Sequence, residues 1–290
     1  VLVLFAHHDV GSTIDPHVMR YVRELRSLGN VTTLFVSDMY RNRPLNTDAV
    51  AKLAAFGDEF YQCHTPSRDF GSWRVAWDIA QRKDLISACD RLILANDSVY
   101  AGLFPLKDML NSFTGADMYG AIESEEGGLN HFESFFLVFD INQKVRAFLD
   151  QFWEDFEFTG DVYELIRRYE IGIAARAQSA GLTCKPFVSI PEFKRTFQET
   201  KGRPWDDVIT PDNTWGGATW YFWYGLIHYH RFPFLKVKVA RMKEPGMREV
   251  IERHTDYPYD LIESHVDRIN GISWLTQRGD PRMACDKKSM

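Results

Sequence analysis

Cysteine is scarce in this chain and never closely paired. The 290 residues hold four, Cys63, Cys89, Cys184 and Cys285, with no C-x-x-C spacing, so neither a zinc ribbon nor a disulfide scaffold is signalled and reduced thiols are the simplest reading. No G-x-G-x-x-G follows the first apolar segment and no Walker sequence occurs, which removes the fingerprints of dinucleotide oxidoreductases and P-loop enzymes. There is no secretory leader and no run of about 18 apolar residues, so entry into the secretion route and a bilayer span are not expected. Positive charge is in deficit: 34 Lys and Arg against 40 Asp and Glu give a net charge of -6 and a pI near 5.9. A broad basic face that wraps nucleic acid is thereby disfavoured. Internal repeats and low-complexity tracts are absent as well.

What is present is the composition of an ordinary soluble globular protein, 45% hydrophobic and 26% charged, with 14% aromatics and eight tryptophans. The length suits one large α/β domain or a domain with a smaller lobe. Val1 opens directly into strand-like sequence, as in a module cut from a longer chain. Val1 to Ala6 is an apolar run of buried-strand type; a polar loop from His7 to Ser12 follows, then a helix carrying Val18, Tyr21, Val22, Leu25 and Leu28. The alternation continues with a strand from Val31 ending at Asp38, a helix from Asp48 to Phe56, a strand near Glu59 to Cys63, and a helix from about Ser72 to Arg82. Next come a strand from Arg91 to Ala95, a helix near Pro105 to Phe113, and strands near Asp117 to Ile122 and Phe135 to Phe139. This order predicts a mostly parallel sheet flanked by helices, with ligands gathered at the carboxyl ends of its strands, where His7, Asp9, Asp38 and Asp97 fall. From about Glu192 the texture changes. A polar stretch from Lys194 to Asp212 reads as a linker or surface excursion, Trp215-Gly216-Gly217 leads into an aromatic helix from Thr219 to Tyr229, and a proline-broken tail follows.

A second feature lies between Val162 and Gly181. Val162, Leu165, Ile166, Tyr169, Ile173 and Ala177 repeat at three and four residues, which predicts an amphipathic helix stopped by Gly181. Glu170 borders its buried stripe, where partial burial favours a proton acceptor. On helix geometry alone, a surface glutamate paired with Arg167 or Arg168 is the alternative.

These segments resemble the rhamnan synthesis protein F family, bacterial glycosyltransferases of cell-surface rhamnose polymers. The resemblance is carried by Val1 to Ala6 with Ile14-Asp15-Pro16, by Arg68 to Trp73, Leu94 to Pro105, His131 to Phe139, Tyr169 to Gly172 and Arg231 to Lys236. The order of elements also resembles the nucleotide-sugar half of GT-A glycosyltransferases, in which inverting members carry an acidic pair eleven residues before a glycine. Glu170 and Gly181 reproduce that spacing, but Tyr169 replaces the first acid. The metal-binding Asp-x-Asp survives only as Asn96-Asp97-Ser98.

The resemblance implies a GT-A-like, Rossmann-like domain over residues 1–191 and a C-terminal extension over 192–290 on the acceptor or membrane side. It implies transfer of L-rhamnose from dTDP-β-L-rhamnose, with inversion, to a growing O-antigen or rhamnan. Glu170 is the expected base. Donor contacts are expected from Ala6, His7, His8, Asp9, Asp38, Arg68, Asp69, Gly71, Ser72, Asn96, Asp97 and Ser98. Gly71 would permit close backbone approach, and Arg68 or Arg74 would meet phosphate. Acceptor contacts are expected from His131, Glu133 and Ser134. Asp97 would ligate Mg²⁺ or Mn²⁺ through one carboxylate. Adjacent strand-end side chains point to opposite faces, which argues against a metal set made of His7, His8 and Asp9.

Trp215, Trp220, Tyr221, Trp223 and Tyr224 could stack on sugars, or simply fill the core. The basic stretch from His228 to Lys243 has a solvated face as its default reading, and anionic lipid or a lipid-linked diphosphate acceptor as the alternative. The expected partners are dTDP-L-rhamnose, a rhamnose-containing or lipid-linked glycan and other transferase modules of the same chain, with no nucleic acid and at most peripheral membrane contact. The expected place is the cytoplasm, at the inner face of the membrane. Two rival readings are a non-catalytic carbohydrate-binding module of a larger synthase and a glycoside hydrolase whose Asp97 and Glu170 lie about 5 to 9.5 Å apart.

Overall fold

A computed structural model describes residues 1–9, 11, 13–38, 47–55, 59–126, 129–199 and 217–277. Ten strands are described: β1 (Leu2–His8), β2 (Thr32–Asp38), β3 (Glu59–Cys63), β4 (Arg91–Asn96), β5 (Val99–Ala101), β6 (Met118–Glu126), β7 (Leu129–Phe132), β8 (Phe136–Asp140), β9 (Cys184–Val188) and β10 (Phe234–Lys236). Eight of them form one sheet in the order β3-β2-β1-β4-β8-β6-β7, with β9 paired to β6. The expected α/β sheet flanked by helices is there, and it is mixed. The pairs β1–β2, β1–β4, β2–β3 and β6–β9 are parallel, whereas β8 and β7 run antiparallel to their neighbours.

The helices are α1 (Pro16–Arg26), α2 (Thr47–Ala55), α3 (Arg68–Arg82), α4 (Leu106–Ser112), α5 (Gln143–Glu154), α6 (Val162–Leu165), α7 (Ile171–Ser179), α8 (Ile190–Glu199), α9 (Ala218–Tyr221), α10 (Trp223–His230), α11 (Val237–Ala240), α12 (Met247–His254) and α13 (Tyr259–Gln277). They cover both sheet faces. Alternation along β1 sends Val3 and Phe5 to a core shared with Tyr21, Val22 and Leu25 of α1, and Leu2, Leu4 and Ala6 to one shared with Trp73 and Trp77 of α3 and Trp153 of α5. The Trp73 indole donates to the Ala95 carbonyl at 3.1 Å, which seats α3 on β4 and fixes its first turn at the sheet edge.

Register sets the site. Parallel pairing lays Ala6 beside Asn96 and His8 beside Asp38, so three strands end along one edge. Antiparallel β8 begins at that same edge, since Phe136 pairs with Ala95. A two-stranded sheet then folds the later chain over it, with Phe234 opposite Ala101 and Lys236 opposite Val99. A third core cluster, in which Tyr100, Leu103 and Phe104 meet Trp223, Ile227, Val239, Ile251 and Ile262, holds that segment down. Residue 192 lies inside α8.

Several local readings shift. Helix α3 starts at Arg68, four residues before the expected Ser72. The aromatic helix is broken at Phe222 into α9 and α10, and Trp223 is buried in the third core cluster whereas Tyr221 stays exposed. The end of the second helix at Phe56, Pro204, Pro211, Trp215 and Cys285 lie outside the described residues. Cys63, Cys89 and Cys184 are unbridged thiols. Among the described residues, no helix is long and apolar enough to cross a membrane.

Candidate functional site

The strand ends open into a cavity of about 650 Å³. Its walls include His7, His8 and Asp9 from the end of β1, Asp38 from β2, Asp97 and Ser98 after β4, Arg68 and Asp69 from α3, and Lys238, Arg241 and His265 from the C-terminal segment. A second cavity of about 230 Å³ is lined by Asn96, Ser134, Phe135, Val162, Ile166, Glu170 and Lys236. Arg68, Asp69, Ser98 and Lys238 line both cavities.

Asp97 is held by the backbone rather than by a partner cation. His8 N–H donates to its Oδ2 at 3.0 Å, and His7 Nε2 stands 3.6 Å from the same oxygen. Burial, followed by the charge of Asp69, pushes the Asp97 carboxyl well above the usual range. Asp69 accepts from the Asn96 amide at 2.6 Å, while Asn96 Oδ1 takes the Ser98 hydroxyl at 2.7 Å. Burial and then the charge of Glu170 raise Asp69 to about 6. Two carboxylates that resist ionising together are a donor set suited to a hard divalent cation, which would relieve both. Asp69 thus brings a second acid near Asp97 that the stretch Asn96-Asp97-Ser98 does not itself hold. Arg68 adopts φ +48, a left-handed backbone costly for a residue with a Cβ, at the turn that aims it into both cavities.

At the ends of β1 and β2, His7 Nδ1 shares a 2.8 Å hydrogen bond with Ser37 Oγ, and burial lowers its pKa to about 4, so the ring is neutral at pH 7. Asp38 Oδ1 accepts from Thr65 N–H at 3.3 Å and lies 3.4 Å from His64. Asp9 accepts from the Gly11 and Thr13 N–H groups at 2.9 Å each, and Arg268 of α13 reaches it at 2.6 Å. Burial raises the Asp9 carboxyl, but the guanidinium and the Thr13 amide outweigh that and leave it below its ordinary value.

Glu170 closes a π-helical turn spanning Ile166–Glu170, between α6 and α7. Such turns recur at functional sites because the extra residue redirects a side chain. Val162, Leu165, Ile166 and Glu170 line the second cavity while Tyr169 and Ile173 are buried away from it. Glu170 accepts from Ser134 Oγ at 2.9 Å and is not the surface glutamate of the alternative reading. Arg168 pairs instead with Glu157 at 2.7 Å and Glu164 at 3.0 Å. Tyr169, at the missing first acid, is fully buried against Phe70 and Phe156, and its hydroxyl accepts the Glu157 N–H at 2.9 Å. Gly181 caps the helix at φ +79, as its position implied.

The structure thus brings together His7, His8, Asp9, Asp38, Arg68, Asp69, Asn96, Asp97, Ser98, Ser134 and Glu170 on adjoining cavity walls. Six expected contacts fall elsewhere. Ala6 is sealed in the core. Gly71 and Ser72 are buried within α3, because the helix begins earlier than its sequence suggests. A Cβ on Gly71 would collide with Thr65, so the glycine serves helix packing rather than donor approach. His131 and Glu133 line neither cavity: β7 ends at Phe132, and Glu133 turns to the Thr219 hydroxyl at 2.8 Å and Lys236 at 2.9 Å. Arg74 pairs with Asp78 on its own helix and faces neither cavity.

Asp15, His17, Lys238, Arg241, His265 and Arg268 were absent from the expected set. The basic stretch, whose readings are a solvated face, anionic lipid or a lipid-linked diphosphate acceptor, sends Lys236, Lys238 and Arg241 to the cavity walls. Asp15 was visible beside Pro16 at a helix start; His265 and Arg268, three apart on α13, carried no local signal.

The sequence model of the rhamnan synthesis protein F family matches residues 35–277. No curated protein sequence matches this chain. Among solved structures, HddC from Yersinia pseudotuberculosis is similar at 11% identity and TM-score 0.39, over 69% of this chain and 99% of its own. The galactosyltransferase LgtC, with donor and acceptor sugar analogs, is similar at 13% identity and TM-score 0.37, over 64% and 73%. A 4-diphosphocytidyl-2C-methyl-D-erythritol synthase is similar at 10% identity and TM-score 0.40, over 64% and 87%.

Proposed function

Because the chain belongs to the rhamnan synthesis protein F family of glycosyltransferases, we propose that it transfers L-rhamnose from dTDP-β-L-rhamnose, with inversion, to a growing O-antigen or rhamnan. The observation that carries the chemistry is the meeting of two cavities at Arg68, Asp69, Ser98 and Lys238, with Asp97 on the wall of one and Glu170 on the wall of the other. The nucleoside diphosphate sits in the larger cavity and the accepting sugar enters the smaller one.

Glu170 takes the proton of the acceptor hydroxyl, whose oxygen bonds to the anomeric carbon as the bond to the diphosphate oxygen breaks. One displacement turns a β-linked donor into an α-linked product. Ser134 holds Glu170 in place through its hydroxyl. Charge that develops on the leaving diphosphate is met by Arg68, Lys238 and Arg241, all on the cavity walls. Asp69 and Asp97 would hold Mg²⁺ or Mn²⁺, which supplies further charge neutralisation when bound. Residues 1–191 form the donor-binding and catalytic part in this reading, and 192–290 an extension packed on it that contributes cations. The acceptor is a rhamnose-containing or lipid-linked glycan, and the reaction runs in the cytoplasm at the inner membrane face. Other transferase modules of the same chain extend the product.

The test is incubation with a panel of nucleotide sugars and a synthetic rhamnoside, read by product mass and anomeric configuration. An α-rhamnosyl product from dTDP-L-rhamnose alone supports the reading. Nucleotide-sugar binding without product would point to a carbohydrate-binding module, and glycan cleavage without nucleotide to a hydrolase.

A further inference from the structure

On the wall of the larger cavity, three buried side chains converge whose chemistry the transfer reaction does not use. Asp15, at the start of α1, and His17, in its first turn, meet His265 from α13, which is distant in sequence. Each offers one ligand atom, and these atoms lie within 4.8 Å of one another. Their exposures are 6%, 2% and 9%, yet all three border the cavity.

His17 makes the cluster more than a chance grouping. Neither of its ring nitrogens has a hydrogen-bond partner, although the residue is buried. An unsatisfied buried polar group is costly, and such groups in native proteins call for a ligand or an ordered partner. His17 packs against His265 with ring centroids 4.1 Å apart. His265 is already oriented: its Nδ1 is 2.8 Å from the Tyr100 hydroxyl, leaving Nε2 turned toward Asp15 at 3.7 Å from Oδ2. An imidazole that gives one ring nitrogen to an oxygen partner and the other to a metal is the common second-sphere arrangement. Asp15 accepts from Arg268 Nε at 2.9 Å, and its carboxylate keeps lone pairs beyond those the guanidinium takes. With Asp9 and Arg268 included, the formal charge here is -1, which a divalent cation would turn to +1 beside a diphosphate-sized cavity.

We propose that Asp15, His17 and His265 form a binding site for one first-row divalent transition-metal ion, of the zinc class, that ties the start of α1 to α13. Two nitrogens and one carboxylate select zinc, cobalt or nickel over magnesium and calcium, which take oxygen. This site is separate from the all-oxygen pair Asp69 and Asp97 and does not depend on the transfer reading. All three side chains border the cavity, from which water or a phosphate oxygen would complete the coordination.

Chelator-stripped protein is titrated with Co²⁺ and followed by visible absorption, with Zn²⁺ as competitor. One equivalent per chain, displaced by Zn²⁺, is expected in the native protein and in a His254→Gln control. Loss of an outer hydrogen bond typically costs about 10- to 100-fold in metal affinity, so Tyr100→Phe should fall in that range and His17→Gln beyond it. Zn²⁺ should raise the melting temperature of the native protein and leave that of His17→Gln unmoved. Tyr100→Phe removes one hydroxyl only and keeps the test valid where His17→Gln does not fold. Absence of a stoichiometric Co²⁺ spectrum in the native protein, or native affinity retained in either variant, overturns the proposal.

Discussion

The two walls of the larger cavity differ in charge and in origin. The wall built from the strand ends and α3 is mainly acidic, with Asp9, Asp38, Asp69 and Asp97 outnumbering Arg68, and comes from the first hundred residues. The facing wall is basic, with Lys238 and Arg241, and comes from the chain after β10. The acidic wall is a consequence of topology, since parallel strands end on one edge and their terminal residues must meet there. The basic wall is a consequence of packing: it stands where it does because β10 pairs with β5 and the third core cluster holds it. A negative wall positions a cation or a nucleoside N–H, and a positive one answers phosphate, so opposed walls suit a nucleotide sugar better than a neutral glycan.

The largest expected effect comes from removing the one acid that lies off this axis. Glu170→Gln should lower transfer by about 10²- to 10⁴-fold, the usual contribution of a positioned base, with donor affinity nearly unchanged in calorimetry. Full activity in that variant would remove the base from the scheme. Next is the tie between the walls. Arg268→Met leaves Asp9 and Asp15 without their shared guanidinium, and should cost about 2 to 4 kcal/mol in denaturant unfolding, below a fully buried pair because Arg268 is partly exposed. The Asp9 carboxyl is held below its ordinary value, so its share of this stabilisation is present above that value and disappears as pH falls through the lowered one. A loss that stayed constant down to pH 2 would show that the pairing with Asp9 is not its source.

The same contrast separates what was legible in the sequence from what was not. His7, Asp38 and Asp97 could be placed because an apolar run followed by a polar residue marks a strand end, and α/β topology gathers such ends. Glu170 drew attention because its eleven-residue spacing to Gly181 resembles that of inverting GT-A members, whereas helix periodicity alone leaves it a surface glutamate; the π turn that aims it was invisible. Gly71, Ser72, His131 and Glu133 were misjudged for a boundary reason: helix α3 starts at Arg68, and β7 stops before Glu133. Asp69 was expected among the donor contacts, but its role as the second carboxylate depends on where α3 meets β4. Lys238 and Arg268 lacked any local cue, because a solvated lysine and one facing a cavity share the same sequence pattern. Non-local packing determines them, and periodicity does not report it.

The basic wall can be tested next. Lys238→Ala and Arg241→Ala should each weaken binding of a nucleoside diphosphate, with thymidine diphosphate as the probe, by about tenfold, the worth of one charge-assisted contact, and flatten its dependence on salt. Unchanged affinity in both would reassign these side chains to the solvated face that is their default.

The smallest effect is also the most diagnostic of the acidic wall. Burial, with the charge of Glu170 second, raises Asp69 from 3.8 to about 6. A carboxyl with a raised folded-state value favours the folded protein when protonated, so its penalty is absent below 3.8, grows up to about 6 and is constant above that. Asp69→Asn keeps the neutral form at every pH and can still meet the Asn96 amide through its oxygen. The variant should therefore match the native protein near pH 3.5 and exceed it by about 1 kcal/mol at pH 7.5, less than the full shift implies because the group borders a solvent-accessible cavity. The advantage should shrink in a Glu170→Gln background, where the second cause is gone, and shrink again when Mn²⁺ is added to the native chain. An advantage of the same size at both pH values would mean that Asp69 does not share its charge with the site, and the cation-binding role assigned to it with Asp97 would fall.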